Sequence, residues 1–107
     1  MLNIKGNVKA LGAPGDTILF TVKDTTGFNN IENGIGGWNG INIDNSDGTM
    51  WDSDTSVFQY CKFQYGKSIE TTGEYGGGAM FIQQFLKVLI RNCVFRTNHS
   101  RTNGGAI

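Results

Sequence analysis

The chain has 107 residues, with 9 basic and 9 acidic side chains, 38% hydrophobic residues, 16 glycines, 1 proline and 2 cysteines. That length allows one domain and excludes a large two-domain enzyme. The zero formal net charge gives no support to a nucleic-acid binder or a polybasic membrane anchor.

The glycines, the many Asn, Thr and Ser residues and only four alanines disfavour helices, so composition predicts an all-β chain of short strands and tight turns. Leu2-Asn3-Ile4-Lys5-Gly6-Asn7-Val8-Lys9-Ala10-Leu11 alternates apolar with polar residues as a strand does, up to a turn signal at Gly12-Ala13-Pro14-Gly15-Asp16. Thr17-Ile18-Leu19-Phe20-Thr21-Val22 predicts a second strand. Residues 23–37 are polar and glycine-rich and read as a loop or protruding insert, after which a strand resumes over residues 38–43. Residues 44–56 open with the acidic turn Asp44-Asn45-Ser46-Asp47-Gly48. Residues 57–65 return to strand-like alternation, and residues 66–77 form a further loop. Three short apolar stretches follow, Ala79-Met80-Phe81-Ile82, Lys87-Val88-Leu89-Ile90 and Cys93-Val94-Phe95, before a polar segment over residues 98–103. The longest aliphatic or aromatic run, residues 79–82, is far short of the roughly 20 residues that cross a bilayer. No secretory signal is visible after Met1, which is compatible with a leader cleaved or omitted.

Self-similarity carries the fold reading. Phe58-Gln59-Tyr60-Cys61-Lys62-Phe63 aligns with Ile90-Arg91-Asn92-Cys93-Val94-Phe95 at an offset of 32, and both copies continue to a serine, Ser68 and Ser100. Both then reach a glycine element, Gly77-Gly78-Ala79-Met80 and Gly104-Gly105-Ala106-Ile107, with Gly40-Ile41-Asn42-Ile43 as a third copy. Inside each copy the apolar positions are separated by three and then two residues. A straight strand keeps period 2, so the chain must bend once, at Tyr60 or Asn92. Asparagine tolerates the left-handed conformation such a bend needs, and tyrosine suits it less well. A strand that bends, keeps its apolar side inward and repeats is one rung of a coil. Stacking would then set Ile90 over Phe58, Cys93 over Cys61 and Phe95 over Phe63.

Ile90-Arg91-Asn92-Cys93-Val94-Phe95-Arg96-Thr97-Asn98 followed by Gly104-Gly105-Ala106-Ile107 resembles the repeat of right-handed parallel β-helix proteins of the pectin-lyase-like fold. It is closest in pattern to the Phe-x-x-Asn and Gly-Gly-Ala-Ile motifs of bacterial polymorphic outer-membrane proteins. The resemblance implies a solenoid of about three to four rungs, a single segment over 1–107 cut from a longer helix. It also implies a secreted or cell-surface bacterial protein acting as a stalk or adhesin-like surface, with end-to-end self-association where a terminus is uncapped. The first copy departs from the motif, with Gly66 in the place of the Asn and Met80 in the place of the final Ile.

The same fold class includes pectate lyases and polygalacturonases, so a scaffold role in a polysaccharide-acting enzyme is the alternative. Hydrolysis needs paired carboxylates, and the outward positions of the two aligned copies, Gln59/Arg91, Lys62/Val94 and Gln64/Arg96, hold none. No catalytic residue is assigned. Cofactors are expected to be absent: the acidic turn at 44–48 with Asp52 and Asp54 invites calcium, but it fails the EF-hand register and reads as a solvated turn. His99 lacks a spaced partner for a metal or catalytic role. Cys61 and Cys93 read as reduced thiols in an interior ladder, with a disulfide as the alternative. All nine acids lie at or before Glu74, whereas residues 75–107 hold Lys87, Arg91, Arg96 and Arg101 and no acid. A third reading follows, a glycan-binding module using Trp51 and Tyr75 to stack on sugar rings and Arg91 and Arg96 to hold acidic groups.

Overall fold

β-Branched and aromatic residues in runs of three or four, separated by glycine or asparagine, leave the backbone little choice but to pair strand on strand. The computed structural model describes residues 1–45, 55–72, 76–84 and 87–107. Among them the chain forms eleven strands and no helix: β1 Leu2–Ile4, β2 Lys9–Leu11, β3 Ile18–Phe20, β4 Ile41–Asp44, β5 Ser56–Gln59, β6 Cys61–Gln64, β7 Lys67–Ser68, β8 Met80–Gln83, β9 Val88–Arg91, β10 Val94–Arg96 and β11 His99–Ser100. With no helix there, none is long and apolar enough to cross a membrane.

The strands form four parallel sheets, ordered β1–β4–β8, β2–β5–β9, β3–β6–β10 and β7–β11. Parallel neighbours cannot be joined by a hairpin and need a long crossover. Here the crossover is the rest of the coil, because the chain visits the sheets in the same order on each pass. The first pass lacks a strand in the fourth sheet, but Trp38 bridges Gly66 in parallel and extends that sheet downward. This all-β arrangement of stacked parallel sheets is compatible with a β-helix-like solenoid.

The register sets Phe58 opposite Ile90, Phe63 opposite Phe95 and Ser68 opposite Ser100, as the sequence repeat predicts. The first pass adds Ala10 beneath Phe58 and Phe20 beneath Phe63. Phe20, Phe63 and Phe95 stack nearly face to face at 4.7 and 4.8 Å, and Trp38 extends the pile from Phe20 at 6.4 Å. Phe58 meets Phe63 edge-on at 5.7 Å, which ties the second sheet to the third. Ile41, Ile43, Phe58, Cys61 and Phe63 of the middle pass complete a core with Ala79 and Met80 of the third, and partly buried residues pack against it.

Corners explain the pattern of threes and twos. Tyr60 and Asn92 both have left-handed backbones, φ 48° and 52°, so the less suited tyrosine adopts the same bend as the asparagine. A second corner follows at Tyr65 and Thr97, φ 59° and 55°. On the first pass the corresponding corner is enlarged: residues 13–16 close a small loop through the Ala13–Asp16 bridge, while Gly12 N and Ile18 N bond Gln59 O and Tyr60 O on either side of Tyr60.

Several sequence expectations are corrected. The opening run of residues 2–11 is two strands in different sheets, because the chain turns at Lys5 and Gly6. Residues 66–77 and 98–103 contain β7 and β11, whose polar residues gave no strand pattern. Residues 23–37 form no strand, and they contact β7 and the segment after β11 through Lys67 and Arg101. Of the acidic loop near 44–56, only its borders belong to the described residues. The departure at Gly66 has a steric cause. A Cβ there would collide with Gly78 O and Ala79 Cα, so asparagine cannot occupy the place. Its counterpart Asn98 instead reaches down, accepting from Gly66 N at 2.8 Å and donating to Phe63 O at 3.0 Å.

Depth in the aromatic stack fixes the expected cost of truncation. Phe63→Ala should destabilise the chain by about 3–5 kcal/mol. Phe95→Ala should cost clearly less, because Phe95 lies in the third pass and is only partly buried. Urea unfolding followed by circular dichroism gives the order, and equal midpoints for the two variants would contradict it.

Candidate functional site

Alternation along the strands of the second and third sheets sends one set of side chains to the core and the other outward. The outward set is Lys9, Leu11, Val57, Gln59, Leu89 and Arg91 on one sheet, and Leu19, Lys62, Gln64, Val94 and Arg96 on the next. Four cations and no carboxylate stand on the strands of these two sheets. Four aliphatic side chains lie between the cations well exposed, with Leu11 60% accessible and Val94 51%.

Arg91 and Arg96 are exposed on adjacent sheets of the third pass, separated by the Asn92 corner. The Arg91 guanidinium donates through Nη2 to Gln59 Oε1 directly below it, a neutral acceptor that leaves its charge uncompensated. Arg96 stands in register above Gln64, whose Nε2 donates in turn to Thr21 Oγ1 at 3.3 Å. Among the described residues neither arginine pairs with a carboxylate, whereas Arg101 pairs with Glu32 at 3.4 Å. Trp51 and Tyr75, the two aromatic candidates, lie outside the described residues, as do residues 46–54 of the acidic turn with Asp47, Asp52 and Asp54. Trp38 packs against the core and donates Nε1–H to Gln64 O at 2.9 Å, which makes it a rung residue.

The cysteines are stacked and free. Cys61 Sγ donates to Ala10 O at 3.4 Å and Cys93 Sγ to Phe58 O at 3.3 Å, the same contact one pass higher. Burial pushes the Cys61 thiol above its ordinary value of 9.0, and the neighbouring Cys93 thiol adds to the rise. No group of three or more His, Cys, Asp or Glu side chains is placed to share a metal ion among the described residues.

His99, in the segment read as polar, lies on a strand. It occupies β11 in register over Lys67, and its Nε2 is buried without a hydrogen-bond partner, as are Asn42 Oδ1 and Thr102 Oγ1. Lys67 itself is the residue sequence reasoning missed. It is fully buried, and its ammonium donates to Ile35 O at 2.9 Å and Gly27 O at 3.3 Å beneath the Phe28 ring, 5.6 Å from the centroid. A lysine within a predicted polar loop gives no hint of this, because its acceptors are main-chain carbonyls that any sequence supplies.

No family model, curated protein or solved structure matches the chain. Its two legible chemical features are therefore the exposed Arg91 and Arg96, on sheets whose described strands carry no acid, and the buried ammonium of Lys67.

The thiols supply a test of the interior assignment. A raised thiol pKa in the fold contributes stability that is present below the ordinary value of 9.0 and lost as pH climbs through the raised value. Iodoacetamide at pH 8 should label Cys93 in the native chain and leave Cys61 unmodified until urea unfolds it. Thermal stability should fall above pH 9.0, and Cys61→Ala should reduce that alkaline loss. Native labelling of Cys61 at the rate of Cys93 would contradict its placement.

Proposed function

We propose that the chain is a segment of a right-handed parallel β-helix serving as a rigid, non-catalytic stalk or adhesin-like surface of a secreted or cell-surface bacterial protein. The single observation that supports this most is the repeated path, in which each pass crosses the same parallel sheets in the same order and lays like residues over like. Right-handedness follows the general rule for crossovers between parallel strands. Such an architecture gives stiffness through continuous backbone ladders and leaves its outward positions free to vary. The scaffold-of-an-enzyme reading gains nothing specific here, since Asp44 is the sole carboxylate on a described strand. Antibodies against residues 1–107 should stain intact cells of the source bacterium, and staining that required permeabilisation would count against a surface role.

A glycan-binding role has one observation in its favour, the exposed Arg91 and Arg96 on a face whose strands hold no acid. Stacked guanidinium and amide groups present fork-shaped donors that suit carboxylate or sulfate groups along a polysaccharide. Replacing both arginines, Arg91→Ser with Arg96→Ser, should weaken retention on an immobilised acidic polysaccharide roughly tenfold, as expected for two exposed charge contacts of up to about 1 kcal/mol each. Unchanged retention with native circular dichroism would dismiss this reading.

A further inference from the structure

An ammonium removed from water costs several kcal/mol unless its surroundings replace the lost hydration. Lys67 is fully buried, yet among the described residues no carboxylate pairs with it. Its replacement for water is built from the segment 23–37 alone: two main-chain carbonyls, Gly27 O and Ile35 O, and the face of Phe28. Neutral acceptors and an aromatic face recognise a cation by ion–dipole and cation–π attraction, without any anion.

The segment holds this geometry through bonds of its own. Asp24 Oδ1 accepts from Thr26 N, Asn30 Oδ1 from Glu32 N and Asn33 Oδ1 from Ile35 N, at 2.9 to 3.0 Å. Phe28 N bonds Thr25 O, and Asn30 N bonds Gly27 O, both at 3.0 Å. The two limbs then meet: Gly36, φ 80°, leaves no room for a Cβ beside Phe28 N and Thr26 O, and Gly27 lies against Ile35. That contact sets the Gly27 and Ile35 carbonyls side by side. The lysine stem approaches them along Gly37, where an added Cβ would fall 2.5 Å from Lys67 Cβ and 3.1 Å from Cδ. Phe28 also meets Tyr65 edge-to-face at 5.3 Å.

We propose that residues 23–37 form a binding loop for a primary alkylammonium whose resident ligand is the Lys67 side chain. The loop leaves the first pass, grips Lys67 of the second and reaches Arg101 of the third through Glu32. It is a strap across all three passes, and its closure depends on the charge at its centre. The site selects an unbranched stem, because Gly37 lines its path, and a head with N–H donors, because its acceptors are carbonyls.

The test uses the whole chain and measures deuterium uptake over residues 24–37. Lys67→Met keeps an unbranched stem without the charge and should raise uptake in the strap at least tenfold while the circular dichroism stays native. Lys67→Ala removes three methylenes and the ammonium, the atoms that n-propylammonium carries. Millimolar n-propylammonium should restore protection to this variant, and tetramethylammonium, which has no N–H, should not. Wild-type protection in Lys67→Met would overturn the proposal. A folded Lys67→Ala that recovers equally with both cations, or with neither, would overturn it too. Were Lys67→Ala unable to fold, the uptake of Lys67→Met would decide.

Discussion

In-register stacking of parallel strands governs this molecule, because every inward side chain must share a column with the residue one pass above or below it at the fixed spacing of hydrogen-bonded strands. Flat rings meet that demand well, and the run Phe20, Phe63, Phe95 is the outcome, with planes within 9° of parallel. The cysteines obey the same rule, one thiol directly above the other, each bonded to the carbonyl that the pass beneath presents. The left-handed corners serve the columns as well, since a corner displaced by one residue would turn the inward set outward.

Charge is distributed by the same geometry. On the outer faces of the second and third sheets Arg91 and Arg96 are exposed and stand over the neutral Gln59 and Gln64, so they remain available to a polyanion. Against the fourth sheet a cation is enclosed instead, and the chain satisfies it with main-chain dipoles. An exposed guanidinium loses little by lacking an acid, whereas a buried ammonium without acceptors would keep the strap from closing.

Much of the fold was legible in the sequence, for a physical reason. The columns demand like over like, so the offset of 32 relating the cysteines and phenylalanines is also the offset of the strand register. Tyr60 and Asn92 were readable as corners because a step of three breaks an alternation of two. β7 and β11 were not readable, since two-residue strands of Lys, Ser and His have no period to display. Of the candidate site, Arg91 and Arg96 were accessible to parity reasoning and are exposed as outward residues. The environment of Lys67 was hidden because main-chain carbonyls leave no mark on side-chain identity, and the Asn98 to Gly66 contact was hidden because its logic lies in what collides across the coil.

That collision has a wider consequence. Gly66 touches the backbone of Gly78 and Ala79, a Cβ on Gly40 would lie 2.7 Å from Ala79 O, and Gly78 abuts His99 O. Main chain meets main chain there with no side chain between. The cross-section is thereby partitioned into an apolar chamber walled by the first three sheets and a narrow polar annex holding Lys67, Ser68 and His99. Mutations in the annex need not disturb the packing of the chamber, so the two compartments can evolve at different rates, the first constrained by volume and the second by whatever its polar groups are selected to hold.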